Sequence, residues 1–204
     1  MAGFLEGEMQ DEYQTHLQKE FQFLAHKYQL KSKQLSIKEW YFLRMRPANF
    51  PTLRLAQWAS LLYHLPHLFS TFTQKNFKDL EKELQINTSE YWQNHYKFGK
   101  ITSAKNTKLG KTMIDNLIIN VIVPLRACYF LQKDEETEIT ETVEYLTTLP
   151  PEKNKYLEIW AKNGIKVKNA YDSQALLEQF NNFCMPKRCA ECVVGIHLLN
   201  LKKN

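Results

Sequence analysis

Glycine and proline are scarce, six and seven residues in a chain of 204. A β-rich protein needs such residues at its many tight turns, so the shortage argues for helices over a strand-and-turn architecture. Long apolar sequence is missing too. The longest stretch, LIINVIVPL at 117–125, is interrupted by Asn120 and Pro124, and it falls short of the ~20 residues a membrane span requires. The opening MAGFLEGEMQDEY is acidic, without the basic start or apolar run of a signal peptide. These absences lead to the expectation of a cytoplasmic protein with no membrane partner. In that compartment clustered cysteines point to metal or redox chemistry more than to disulfides. Signatures of catalysis are also wanting: there is no strained-turn serine, no HExxH, no phosphate loop and no dinucleotide fingerprint.

Apolar residues make up 44% and aromatics 13%, enough to build a core and to exclude global disorder. Tyr13, Leu17, Phe21, Leu24 and Tyr28 recur at helical spacing behind Asp11, a candidate N-cap. IKEWYFLRMRP reads as helix until Pro47, ANFP as a fixed elbow, and Pro51 or Thr52 opens the next helix. That helix, TLRLAQWASLLYHL, is apolar on most sides and is expected to lie deep. FSTFTQKNFKDLEKELQI and SEYWQNHYKF read as shorter helices, the second capped by Ser89. The strongest element is a helix from about Thr107 to Leu131 with Leu109, Met113, Leu117, Val121 and Leu125 as its apolar stripe. Pro124 should kink it. Asp115, Asn116 and Asn120 on that helix need partners where buried, with Gln57 and Gln174 as candidates. An acidic helix follows, then KYLEIWAKNG ending at Gly164, then a helix capped by Asp172 or Ser173. The fold class is therefore all-α: an irregular multi-helix bundle over 1–204, one helical domain with a cysteine-rich C-terminal tail.

A net charge of +5 conceals segregation. DEETEITETVE (134–144) holds six acids and no base, whereas 95–114 holds Lys97, Lys100, Lys105, Lys108 and Lys111 and no acid. Three of the five arginines, Arg44, Arg46 and Arg54, flank the ANFP elbow. Prolines preset that backbone, so guanidinium groups there suit a phosphate clamp beside DNA or RNA. The plainer alternatives are a solvated lysine-rich face and arginines that cap helix ends or pair with the acidic helix. Asn49 most simply bonds its own turn.

The tail CMPKRCAECVVGIH sets Cys184, Cys189, Cys192 and His197 at C-x4-C-x2-C-x4-H. Three thiolates and an imidazole could hold zinc. An iron–sulfur cluster usually wants a fourth thiolate, here Cys128 or one outside the chain. The third reading binds no metal: VVGIHLL continues an apolar helix, and cysteine is a common buried hydrophobe.

AGFL with the Tyr/Phe helix, RMRPANFPTLRLAQWASLL, KLGKTMIDNLIINVIVPL and DSQALLEQFNNFCMPKRCAEC, in that order, resemble the C-terminal region of the bacterial domain-of-unknown-function family numbered 2851. Full-length members carry an N-terminal half resembling PD-(D/E)xK nucleases, with a GPDF-type segment and metal-binding acids. Those motifs are absent, and the nearest imitation, KDLEKEL at 78–84, is helical by pattern. The resemblance implies that Met1 is internal to a normal member and that this chain is a split product, a truncation or a fragment. It implies a non-catalytic module whose partner is the missing nuclease-like half, in cis or as a split partner.

Overall fold

The structure, a computed structural model, describes residues 3–201. They are mainly helical, with one two-stranded hairpin among them. They form two compact units. One comprises the chain up to Thr71 with Lys75–Gly110, the other Phe72–Gln74 with the chain from Lys111 onward.

In the first unit α1 spans Glu12–Lys27, with Asp11 as its N-cap. Its expected apolar stripe is only partly inward: Leu24 and Tyr28 are exposed, and Gln14 and Ala25 are the buried residues. Gln14 and Gln18 turn inward because their side-chain amides bond the carbonyls of Phe4 and Leu5, at 2.7 and 3.0 Å. The helix expected over IKEWYFLRMRP is absent. A capping box of Ser36 and Glu39 closes a single 3-10 turn, Ile37–Glu39, and the chain then runs extended. Trp40 and Phe42 both meet the Phe4 ring, whereas Tyr41 and Leu43 are 78% and 82% exposed. That alternation has the period of a strand, and aromatic packing on Phe4 outweighs the helical pattern.

The elbow is a 3-10 turn, Pro47–Asn49, and α2 (Pro51–His64) follows as expected. Only one face of α2 is deep, through Thr52, Leu53, Gln57 and Leu61; Trp58, Leu62 and Tyr63 face outward. Next come α3 (Leu68–Gln74), α4 (Phe77–Glu83) and α5 (Glu90–Gln93). Ser89 occupies the N-cap position of α5 without a capping hydrogen bond. HYKF is not helical. β1 (His95–Lys97) pairs antiparallel with β2 (Lys100–Ile101) through a turn in which Gly99 has φ +64.

In the second unit one helix runs Lys111–Leu131 as α6 (Lys111–Leu117), a π-turn (Ile118–Ile122) and α7 (Val123–Leu131). By length and composition this 21-residue helix could cross a membrane. Here its inner face carries the unit's core: Ile114, Ile118, Ile119, Ile122 and Val123 are buried. The expected stripe is thus displaced, with Val121 exposed. The helix begins later than Thr107, which is buried in the first unit. At Pro124 the missing N–H is met by local widening, the Val123 N–H bonding Ile118 O, and the extra residue of a π-turn alters which side chains face inward. Asn116 and Asn120 are exposed. Asn120 reaches Gln174 only through Glu152, whose carboxylate accepts from both amides at 3.0 and 2.5 Å.

The acidic segment forms α8 (Glu136–Glu144) and a 3-10 turn. α9 (Lys155–Lys162) ends as expected at Gly164, φ +83, whose N–H bonds Ala161 O while Ile165 N–H bonds Trp160 O. α10 (Ala170–Gln179) is capped by Asn169 and not by Asp172 or Ser173. Asn169 Oδ1 accepts the Asp172 N–H, and Asp172 returns a bond to the Lys168 N–H, which draws the start of the helix upstream. A π-turn (Phe180–Cys184) and α11 (Val193–Leu201) complete the described chain.

Candidate nucleic-acid interface and cysteine tail

Elbow and hairpin pack on each other within the first unit. The Thr52 hydroxyl donates to Tyr96 O, and the Phe50 and Tyr96 rings meet edge-on at 6.3 Å. Lys97 Nζ lies 4.5 Å from the Phe42 ring centroid and 5.0 Å from that of Phe50. Lys105 Nζ sits 3.7 Å over Tyr96, where burial lowers its pKa from the ordinary lysine value. Each ring attracts its ammonium by about 0.5–1 kcal/mol and leaves N–H donors for another acceptor.

Lys97 and Lys100 are directly opposed across the hairpin. Like charges there are destabilising; neither 40–78 nor 91–114 holds an acid, and the carboxylate that reaches this hairpin is Asp11, at the Gly99 N–H of its turn, 2.7 Å. Arg54 is braced, its guanidinium donating to Asn49 Oδ1 at 2.6 Å and Gln57 Oε1 at 2.8 Å. Asn49 thus serves Arg54 with its side chain rather than its own turn. Burial lowers the Arg54 pKa. Arg44, at φ +61, and Arg46 are exposed. Lys100 and Lys108 are exposed as well. Lys111 belongs to the second unit, where it pairs with the buried Asp115 at 2.7 Å.

What the sequence reading missed is the group that fixes the hairpin. Asp11 Oδ2 accepts from the Tyr91 hydroxyl at 2.5 Å and the Gly99 N–H at 2.7 Å, while Oδ1 caps α1 through the Gln14 N–H at 2.7 Å. Tyr91 lies in a stack, 4.1 Å from Tyr13 and 3.9 Å from His95. Burial alone would raise the Asp11 pKa. Hydrogen bonds from Tyr91, Gln14 and Gly99 overcome it and hold the carboxyl below its ordinary value. Burial and the bond to Asp11 push the Tyr91 hydroxyl pKa up. A helix cap was legible at Asp11; its reach to residues 91 and 99 was not.

In the tail, α10 and its π-turn end on Lys187 at φ +59, with Lys187 N–H bonding Cys184 O and Arg188 N–H bonding Phe183 O. This termination turns the chain back on itself. Cys192 is buried, and its Sγ accepts from Gln179 Nε2 at 2.8 Å and the Gly195 N–H at 3.4 Å. Cys184, Cys189 and His197 are exposed. Among the described residues no three His, Cys, Asp or Glu side chains are gathered to hold a metal ion. The four tail residues therefore do not present a preformed tetrahedral set.

Compared with known families, residues 1–155 match the one described as protein of unknown function DUF2851. The elbow and the hairpin lie within that match, and the cysteine tail lies beyond it. No curated protein and no solved structure matches the chain.

Proposed function

The chain belongs to the DUF2851 family, and from that premise we propose that it is a non-catalytic helical module that binds DNA or RNA through the elbow and hairpin of its first unit. In this reading it serves a nuclease-like half in the cytoplasm, in cis or as a split partner. The observation that carries the reading is the opposition of Lys97 and Lys100 across a hairpin packed on the arginine-bearing elbow. Two ammonium groups at one rung repel each other, and an arriving phosphate backbone relieves that repulsion. Lys97 and Lys105 are held on aromatic rings, which lowers the entropy lost when they engage a phosphate. Arg44 and Arg46 add exposed cations on the elbow segment, and the braced Arg54 fixes the elbow.

Fluorescence anisotropy with duplex DNA, single-stranded DNA and RNA tests the proposal at two salt concentrations. Binding that weakens steeply with salt, and weakens further when Arg44, Arg46 and Arg54 are reversed to glutamate in a folded variant, is the expected result. No binding to any of the three at low salt would remove the nucleic-acid reading and favour a protein–protein scaffold.

A further inference from the structure

We propose that Cys189 and Cys192 form a redox-active dithiol that closes reversibly to a disulfide by exchange with a low-molecular-weight disulfide such as glutathione disulfide. The inference rests on the tail alone and is independent of nucleic-acid binding.

Four features support it. The left-handed Lys187 folds the chain back so that Cys192 packs against α10, bonded to Gln179. Residues 189–191 form a turn, with Glu191 N–H bonding Arg188 O at 3.2 Å, and Gly195, whose N–H bonds Cys192 Sγ at 3.4 Å, lies against the Cys189 backbone. Gly195 then permits close approach, since a Cβ at that position would collide with the Cys189 carbonyl. The two sulfurs also differ in access: Cys189 is exposed and Cys192 is buried. An exposed thiol is accessible for the first attack, and a shielded second thiol next to it is left to resolve the mixed disulfide.

The steps balance. The Cys189 thiolate attacks one sulfur of the glutathione disulfide, forming a mixed disulfide and releasing one glutathione thiolate, which takes up a proton. The Cys192 thiol, deprotonated to water, then attacks Cys189 Sγ. The protein disulfide forms, the mixed disulfide breaks, and the second glutathione leaves as a thiol. Two electrons pass from the dithiol to the glutathione disulfide. N–H donation to Cys192 Sγ from Gly195 and Gln179 favours its anionic form at the second step.

The full chain, reduced and then equilibrated in buffers of graded glutathione ratio, is acid-quenched, alkylated and digested with trypsin. Cleavage after Lys187 and Arg188 separates Cys184 from the Cys189–Cys192 peptide. The expected product is a bridge within that peptide, reversible on lowering the oxidised fraction. Cys192→Ser should stop the reaction at a glutathione adduct on Cys189, and Cys189→Ser should abolish both adduct and bridge. Circular dichroism matching the parent chain confirms that each variant is folded. Cys184→Ser should leave the bridging ratio unchanged. A bridge involving Cys184, no bridge at any ratio, or zinc bound at about one per chain that blocks alkylation of all three thiols would overturn the proposal.

Discussion

Replacing Asp11 by alanine should loosen the hairpin on which the basic residues ride. The carboxylate does two things: Oδ1 caps α1, and Oδ2 ties the Tyr91 hydroxyl and the Gly99 N–H. Loss of the cap costs about 1 kcal/mol. Each bond to Oδ2 is charge-assisted, and at this partly exposed position about 1 kcal/mol apiece is appropriate. The sum is about 3 kcal/mol, read by urea unfolding followed through tryptophan fluorescence, since Trp92 lies buried beside Tyr13. Asp11→Asn keeps the cap but places an NH2 where Oδ2 accepted from both donors; the Tyr91 hydroxyl can turn to accept from it whereas the Gly99 N–H cannot, so it should lose about half as much. The pH dependence follows from the same contacts. The folded pKa lies below the unfolded one, so the contribution is complete above the ordinary carboxylate range and disappears as pH falls through the folded pKa. The gap between parent and Asp11→Asn should therefore close in acid. An Asp11→Ala change within about 0.5 kcal/mol of the parent, the range of ordinary surface substitutions, would refute the reasoning.

Two backbone predictions accompany it. Gly99→Ala meets both the left-handed φ and a collision with the Gln10 side chain, so it should cost more than Gly164→Ala, where φ is also positive but the added Cβ meets nothing; equal unfolding midpoints would contradict this. Lys187→Gly relieves a non-glycine residue at φ +59 and should stabilise the tail by about 1 kcal/mol, measured as slower hydrogen exchange at the Lys187 and Arg188 amides.

Much of the helical architecture was readable because it depends on local chemistry. Asp11, Pro51 and Gly164 act where their side-chain and backbone preferences say they should. The failures share a cause, which is long-range packing overriding local pattern. Trp40 and Phe42 leave a helical register to reach Phe4, distant in sequence. His95–Lys97 joins a hairpin whose turn Asp11 fixes at Gly99 from far upstream. The stripe on 111–131 is misplaced because its period assumes unbroken α geometry, whereas the chain widens at Ile118–Ile122 ahead of Pro124. Within the candidate interface the lysines and arginines were legible from charge segregation. The rings beneath Lys97 and Lys105 were not, since Phe42, Phe50 and Tyr96 come from separate elements. The tail offered spacing alone, and spacing does not reveal that Cys192 turns to Gln179.

The central claim is that phosphates meet the hairpin at Lys97 and Lys100. It is tested most directly by the slope of log affinity against log salt for duplex DNA, compared between the parent chain and a Lys97→Glu, Lys100→Glu variant with an unaltered circular dichroism spectrum. Two lost phosphate contacts should reduce the magnitude of that slope by about 1.8 and weaken binding at every salt concentration. A variant with the parent's slope and affinity would place the hairpin outside the interface and contradict the account.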